Sequence, residues 1–255
     1  CTKLSASGLV YRHYGKEVLK QYYPALSDEL LEVAYLKIYD KLMKALDAID
    51  TGVEQVPDGV EALYRDSTGL SSRVGRLNPR WNEQHEEGNT PDPDARFAEA
   101  VKLCEQDFCA VMVGTVESDL PARAFVEDAL VKRLETDPSG QIIKFESGGM
   151  PWKQHLYELE KIHQLQDDTD KPLIKFVLYT DQSGMWRVQA VTVEGKAFEN
   201  RLGLPEAWRG VRDQDLAGLC KISTARFVHA AGFIGGADQY EDALEMARVA
   251  LQQQE

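Results

Sequence analysis

The chain has 255 residues, of which 43% are hydrophobic and 28% are charged, a composition typical of a globular protein and not of a disordered one. Its formal net charge of −13 argues against capture of nucleic acid by the surface as a whole, and no apolar run approaches the roughly 20 residues that a bilayer span needs. The chain begins with Cys1 and not with Met, so we expect a fragment or a processed product.

The first half of the chain is predicted to be mainly helical, because apolar residues recur there at helical spacing. Ser27 is suited to cap the second helix, and Asp50-Thr51-Gly52 has the composition that ends it. A loop-rich region is expected from there to Asp94, with the acidic stretch from Glu83 to Asp94 exposed. The predicted helices are Leu4–Tyr22, Asp28–Ile49, Ala95–Val116 and Leu120 to about Leu134.

The second half is predicted to mix strands with helices. A turn at Asp181-Gln182-Ser183-Gly184 should join two of the strands into a hairpin. The predicted strands are Gln141–Phe145, Leu173–Tyr179, Trp186–Val193 and Ala225–His229, and the predicted helices are Trp152–Ile162, Asp213–Cys220 and Gln239–Gln252. We therefore predict an α/β (α+β) fold class, with a helical unit over residues 1–136 and a smaller mixed-sheet α/β unit over residues 137–255.

A glycine-containing segment near the end of the chain suggests a phosphate-binding loop. After the predicted strand come His229, two alanines, Gly232, and the pair Gly235-Gly236, with a helix predicted to follow. Glycine lets backbone N–H groups approach an anion closely, and a helix start adds partial positive charge. Strand–glycine–helix junctions are also ordinary connections in α/β domains, so that alternative stays open.

Asp47 and Asp50 form a candidate metal-binding and catalytic pair. They lie three residues apart at a predicted helix end, so both carboxylates can face one side. Oxygen ligands of this kind suit Mg²⁺ or Mn²⁺, which leave positions open for water and phosphate. A polar helix end with Asp50 in a turn is the alternative, and spacing alone favours it.

Two modest basic islands, residues 61–81 and residues 208–226, could focus a phosphorylated ligand. Arg73 and Arg76 stand one helical turn apart, a spacing that can hold a phosphodiester, although a surface ion-pair network has the same pattern. Two further groups pair an indole with bases, a combination that can stack on and neutralise a nucleotide but that also arises when the Trp is in the core. These groups are Trp152 with Lys153 and His155, and Trp208 with Arg209 and Arg212.

Eight motifs run in order over nearly the whole chain: Lys3–Tyr11, Asp47–Asp50, Ser72–Pro79, Leu120–Ala124, Pro151–Leu156, Tyr179–Gln182, Trp208–Gly210 and Phe227–Gly236. Through these motifs the chain resembles the C-terminal two-thirds of the melanocyte-proliferating-gene family, whose members are related to the Asp-His-His phosphoesterases.

The resemblance implies a metal-dependent hydrolase, described for the family as a 3′-to-5′ exonuclease that acts on RNA in the nucleus and the mitochondrion. It implies an N-terminal phosphoesterase domain that uses Mn²⁺ or Mg²⁺, followed by a substrate-binding α/β domain. Asp47 and Asp50 would belong to the last acidic motif of the metal site, and His229, Gly232, Gly235 and Gly236 to the phosphate-binding loop. The expected partner is single-stranded RNA or another phosphodiester, and not a membrane. The expected location is intracellular, with the cytoplasm as an alternative to the two organelles.

Two departures from the family pattern matter. The family's earlier motifs, a His-Asn-Gly-x-Phe-His-x-Asp-Glu segment and the Asp-His-His itself, are not found in this chain, so we expect its metal site to be incomplete and the fragment to be inactive alone. Thr51 also follows Asp50 where the family usually has Asn. Two other functions stay open: a non-catalytic module that binds a phosphorylated ligand or a protein, and a hydrolase of small phosphorylated molecules. The oligomeric state is not predicted.

Overall fold

The computed structural model describes residues 3–57, 59–83, 92–166 and 170–253. The chain packs as two compact units, Cys1–Leu120 and Pro121–Glu255. Helices and a five-stranded mixed sheet confirm the predicted α/β class, while the domain boundary predicted after residue 136 stays a prediction. Within the described residues, no helix combines the length and the apolar character that a membrane crossing requires. Most of the predicted acidic stretch, residues 84–91, lies outside the described residues.

The first unit is helical, and its first two helices begin at serine caps. The Ser5 hydroxyl accepts from the Gly8 N–H (3.2 Å) and the Ser27 hydroxyl from the Leu30 N–H (3.2 Å), which satisfies N–H groups that have no partner within the helix. The helices are α1 (Ala6–Tyr22), α2 (Asp28–Ile38), α3 (Lys44–Asp50), α4 (Leu70–Gly75) and α5 (Pro93–Val113). Tyr11, Leu19, Ile38 and Met112 are among the buried residues of its core.

Two π-helical segments, Tyr39–Met43 and Gly114–Asp119, interrupt the regular helices. The first joins α2 to α3, so the helix predicted over Asp28–Ile49 is confirmed with a wider turn inside it. The second lies where the sequence predicted the end of one helix and the start of the next. The short helix α4 was not predicted, because only six residues form it and they carry little periodic signal.

The second unit contains one sheet in the order β1-β2-β3-β5-β4. Its strands are β1 (Ile142–Lys144), β2 (Phe176–Thr180), β3 (Trp186–Ala190), β4 (Ala225–Val228) and β5 (Ile234–Ala237). The strands β1 and β2 are parallel, and every other neighbouring pair is antiparallel. The predicted hairpin of β2 with β3 is confirmed.

Helices pack on both faces of this sheet. On the first face, α9 (Asp213–Cys220) and α10 (Tyr240–Gln252) bury a core that includes Val188, Val228, Leu216 and Met246. On the second face, α6 (Leu120–Val131) and α8 (Lys153–Ile162) bury a core that includes Ile143 and Val177 of β1 and β2. The short α7 (Arg133–Thr136) precedes β1.

The prediction of a glycine loop between a strand and the last helix is wrong for Gly235 and Gly236. Both lie inside β5, which pairs with β3 on one side and with β4 on the other. The pair therefore occupies an interior strand, where backbone groups serve the sheet. The actual connection after β4 is a tight turn over residues 229–233 that contains Gly232.

Candidate functional site

Asp47 is a buried carboxylate held at the start of α1. Its side chain is fully buried on α3. Its Oδ1 accepts from the backbone N–H (3.0 Å) and the hydroxyl (2.5 Å) of Ser5, and its Oδ2 accepts from the Tyr39 hydroxyl (2.9 Å). A carboxylate so placed satisfies donors at the positive end of α1. Asp47 therefore ties α3 to the first turn of α1.

Electrostatics keeps this buried carboxylate ionised. Burial raises the pKa of Asp47, but hydrogen bonds from Ser5, Tyr39 and the Gly8 backbone stabilise the charged form more strongly, so its pKa lies below the usual value of 3.8. Gly8 is needed there because an added Cβ would overlap the Asp47 carboxylate. Two motifs that carry the family resemblance, Lys3–Tyr11 and Asp47–Asp50, are thus in direct contact.

Asp50 differs from Asp47 although only three residues separate them. It is the last residue of α3 and is exposed, so its carboxylate is available to an outside ligand. Among the described residues, no three His, Cys, Asp or Glu side chains are arranged to hold a metal ion. With one exposed carboxylate and one already engaged by three donors, these residues do not by themselves fit a divalent metal site.

The first basic island is occupied by intramolecular partners. Arg73 donates through Nη1 and Nη2 to the two oxygens of Asp107 on α5 (2.8 and 2.7 Å), a bidentate pair of the geometry that a phosphate would need. Arg76 is exposed and donates to the Ser67 carbonyl (2.9 Å). A phosphate at Arg73 would have to displace Asp107, a partner that local spacing did not reveal.

The two indoles of the basic groups are core residues. Trp152 (7% exposed) and Trp208 (4% exposed) lie in the two cores of the second unit, so neither ring is available to stack on a nucleotide. His155 is also buried, at 1% exposure. Lys153 lies nearer the surface, with its Nζ 5.7 Å from the centroid of the Trp152 ring.

Three predicted phosphate-binding residues meet at the turn between β4 and β5. Gly232 has φ +69° and an added Cβ there would lie 2.5 Å from Arg209 Nε, so glycine is required on both counts. The Gly232 N–H donates to the His229 carbonyl (2.8 Å), and Arg209 Nε donates to the Leu204 carbonyl (3.1 Å). Arg209, His229 and Gly232 therefore form one local cluster.

His229 is exposed at this turn. Its Nδ1 accepts from the Ala231 N–H (3.1 Å), and its ring packs against Phe233 with centroids 4.6 Å apart. Because Nδ1 serves the turn, Nε2 is the nitrogen that can face a ligand. Arg212 is exposed beside β4, with its guanidinium 5.8 Å from the centroid of the Phe227 ring.

The distribution of the twelve predicted site residues is uneven. Arg209, His229 and Gly232 are together at one turn, and Arg212, Gly235 and Gly236 belong to the neighbouring β4–β5 region. Sequence reasoning missed Ser5, Tyr39 and Asp107, the partners of the predicted acid and base. Only the Ser-x-x-Gly start of α1 carried a signal, since Ser is a preferred N-cap residue.

The chain matches the family MYG1_exonuc, described as an uncharacterised protein family (UPF0160), over residues 1–251. It is 44% identical to MYG1 exonuclease of Mus musculus over 253 residues, which cover 99% of the chain and 64% of that relative. Identity to MYG1 exonuclease of Homo sapiens is 43% over 254 residues, covering 99% of the chain and 64% of the relative. Identity to MYG1 protein of Dictyostelium discoideum is 41% over 251 residues, covering 98% and 73%.

The chain therefore spans 64% of the length of the mammalian relatives it matches. No solved structure gives a significant match.

Proposed function

The chain belongs to the MYG1 exonuclease family, and from this premise we propose that the protein is a nuclease. Membership of the family suggests a nuclease-like function, and the mammalian relatives named MYG1 exonuclease are longer than this chain. We propose in particular a metal-dependent phosphodiester hydrolase that removes nucleotides from single-stranded RNA in the 3′-to-5′ direction. Its proposed place of action is intracellular, in the mitochondrion or the nucleus.

The observation that carries the proposal is the contact between two family motifs around Asp47. The buried carboxylate fixes the end of α3 against the start of α1 through Ser5 and Tyr39. This bracing sets the position of Asp50, which is exposed at the end of the same helix. We propose that Asp50 is the ligand that this chain contributes to a Mn²⁺ or Mg²⁺ site, and that Asp47 positions it.

The remaining metal ligands would have to come from outside the described residues, because the described ones do not complete a site. On the substrate side, we propose that the side chains of Arg209 and His229 hold a phosphate group beside Gly232, since both residues are exposed and both contact this buried glycine.

The test uses the protein as its gene encodes it and a short single-stranded RNA labelled at its 5′ end. We expect a ladder of progressively shorter labelled products with Mn²⁺ or Mg²⁺, none with a chelator, and none when the 3′ end is blocked. Asp50→Asn should lower the rate by about ten-fold or more. Asp40→Asn is the matched control, because Asp40 is also exposed and pairs with Lys44.

Four outcomes would contradict parts of the proposal. Cleavage that persists in chelator would exclude metal dependence, and products that shorten from the 5′ end would exclude the direction. Intact RNA together with phosphate release from small phosphorylated molecules would replace the nuclease with a small-molecule hydrolase. Equal rates for Asp50→Asn and Asp40→Asn would remove Asp50 from the metal site.

A further inference from the structure

One row of side chains crosses the sheet of the second unit from β2 to beyond β4. Tyr179 lies opposite Arg187, Arg187 opposite Gly236, and Gly236 opposite Phe227. Arg212 extends the row, because the segment before α9 pairs with the outer edge of β4 and places Arg212 opposite Phe227. Directly opposed residues project from the same face of a sheet, so these five positions share one face.

This row lies on the second face, away from α9 and α10. The residues that alternate with it, such as Val188, Val228 and Ala237, are buried in the first core with those two helices. On the second face, the core formed with α6 and α8 contains Ile143 and Val177 of β1 and β2. On the half of that face formed by β3 and β4, Arg187, Gln189 and Phe227 are half-buried and not fully covered.

Gly236 leaves room for the side chains of Phe227 and Arg187 on either side of it. An added Cβ would lie 2.8 Å from Phe227 Cε1 and 2.9 Å from Arg187 Nη1, so the ring and the guanidinium occupy the space above the glycine. The Arg187 guanidinium carbon is 4.8 Å from the centroid of the Phe227 ring, and that of Arg212 is 5.8 Å from it. Phe227 therefore lies between two guanidiniums.

The two arginines of the row, Arg187 and Arg212, differ in their partners. Arg187 donates to Asp181 Oδ2 (2.5 Å). Hydrogen bonds from Ser183, which have the largest effect, and from Arg187 and Met185 lower the pKa of Asp181 to about 2. This ion pair holds Arg187 in place, and the charges of its two members cancel. Arg212 is exposed; its guanidinium lies near the Phe227 ring and is in no ion pair with a carboxylate of the described residues. The row thus combines planar stacking groups with one guanidinium that is not held in an ion pair.

We propose that this row binds unpaired bases of single-stranded RNA, with a base stacked over Arg187 and Phe227 and a backbone phosphate at Arg212. The inference rests on the proposed function and assigns the residues that recognise its substrate. Bases stack on aromatic and guanidinium planes only when they are not already stacked in a duplex. The row should therefore select single strands, a property that the charge of this acidic chain alone would not confer.

The test is fluorescence anisotropy of the protein with a labelled single-stranded RNA of about 12 nucleotides, in chelator so that hydrolysis does not interfere. We expect Phe227→Leu, which keeps an apolar side chain but removes the ring, to weaken binding by about five-fold or more. Arg212→Gln should weaken binding by several-fold and lower the slope of affinity against salt by about one phosphate. Arg226→Gln is the matched control, because Arg226 precedes Phe227 but already pairs with Asp238.

Phe227 is half-buried, so thermal unfolding of Phe227→Leu is measured alongside; Arg212 is exposed, and its variant keeps the inference testable if the first unfolds. Duplex RNA of the same length and an abasic strand should both bind more weakly than the single strand. Equal binding of the duplex or the abasic strand would overturn the stacking inference. So would Phe227→Leu and Arg212→Gln proteins that bind like Arg226→Gln.

The two proposals can fail separately. If the variants lose RNA binding as expected but the wild type hydrolyses no RNA, the nuclease proposal is refuted and the binding surface stands. Hydrolysis with unaltered binding in the variants would refute the surface and leave the nuclease.

Discussion

Asp47→Asn tests whether the buried carboxylate stabilises the first unit. Asn keeps one oxygen that can still accept from the N–H and the hydroxyl of Ser5, and its amide can donate to Tyr39, whose hydroxyl can turn to accept. The change therefore converts charge-assisted hydrogen bonds into neutral ones. With about 1 kcal/mol lost at each of the two Ser5 bonds, we expect about 2 kcal/mol less free energy of unfolding.

Urea unfolding followed by circular dichroism measures this loss, which corresponds to a fall in the midpoint of about 1 M. Because hydrogen bonding lowers the folded-state pKa of Asp47 below 3.8, its stabilisation is full above that value and disappears as the pH falls below it. The difference between wild type and variant should therefore shrink in acid. Asp50→Asn, three residues on but exposed, should change stability by less than about 0.5 kcal/mol. Equal stability of wild type and Asp47→Asn near neutral pH, or a difference that persists in acid, would refute the reasoning.

Gly235→Ala should lower the free energy of unfolding by about 1–3 kcal/mol, because its Cβ would lie 3.0 Å from Leu204, Met246 and the Phe227 carbonyl. Gly218 in α9 has open space around it, so Gly218→Ala should instead raise the free energy of unfolding by about 0.5–1 kcal/mol. A loss of stability in Gly218→Ala equal to that in Gly235→Ala would contradict the packing argument. Arg201→Met should lower the free energy of unfolding, measured with urea, by about 3 kcal/mol, since it leaves the buried Glu160 carboxylate without its bidentate partner. An unchanged free energy of unfolding would show that the pair does not stabilise the fold. His229→Ala should leave stability within about 0.5 kcal/mol but weaken RNA binding in the anisotropy assay, and unchanged binding would remove His229 from the phosphate cluster.

Local sequence pattern was sufficient to predict most of the helices and strands. The helix α9 was predicted at its observed bounds, and α8 within one residue, because hydrophobic periodicity is a property of a few neighbouring residues. The family was also predicted, since eight short motifs in a fixed order identify it without knowledge of their contacts.

The π-helical segment Tyr39–Met43 was not predicted, because one wider turn leaves the helical spacing of apolar residues almost unchanged. The strand β5 was not predicted either. Ile234–Ala237 contains two glycines, which have low strand propensity, and it is a strand because β3 and β4 pair with it from both sides. Packing against those neighbours outweighs the local preference.

The candidate site depends on contacts that no local pattern specifies. Ser5 meets Asp47 across 42 positions of sequence, and Arg73 meets Asp107 across 34. Residue type and spacing identified Asp47 and Arg73 as chemically able to bind a metal or a phosphate. Whether such a group faces solvent or an internal partner depends on which distant segments fold against it, because burial and hydrogen bonding are properties of the packed chain and not of the residue's neighbours in sequence.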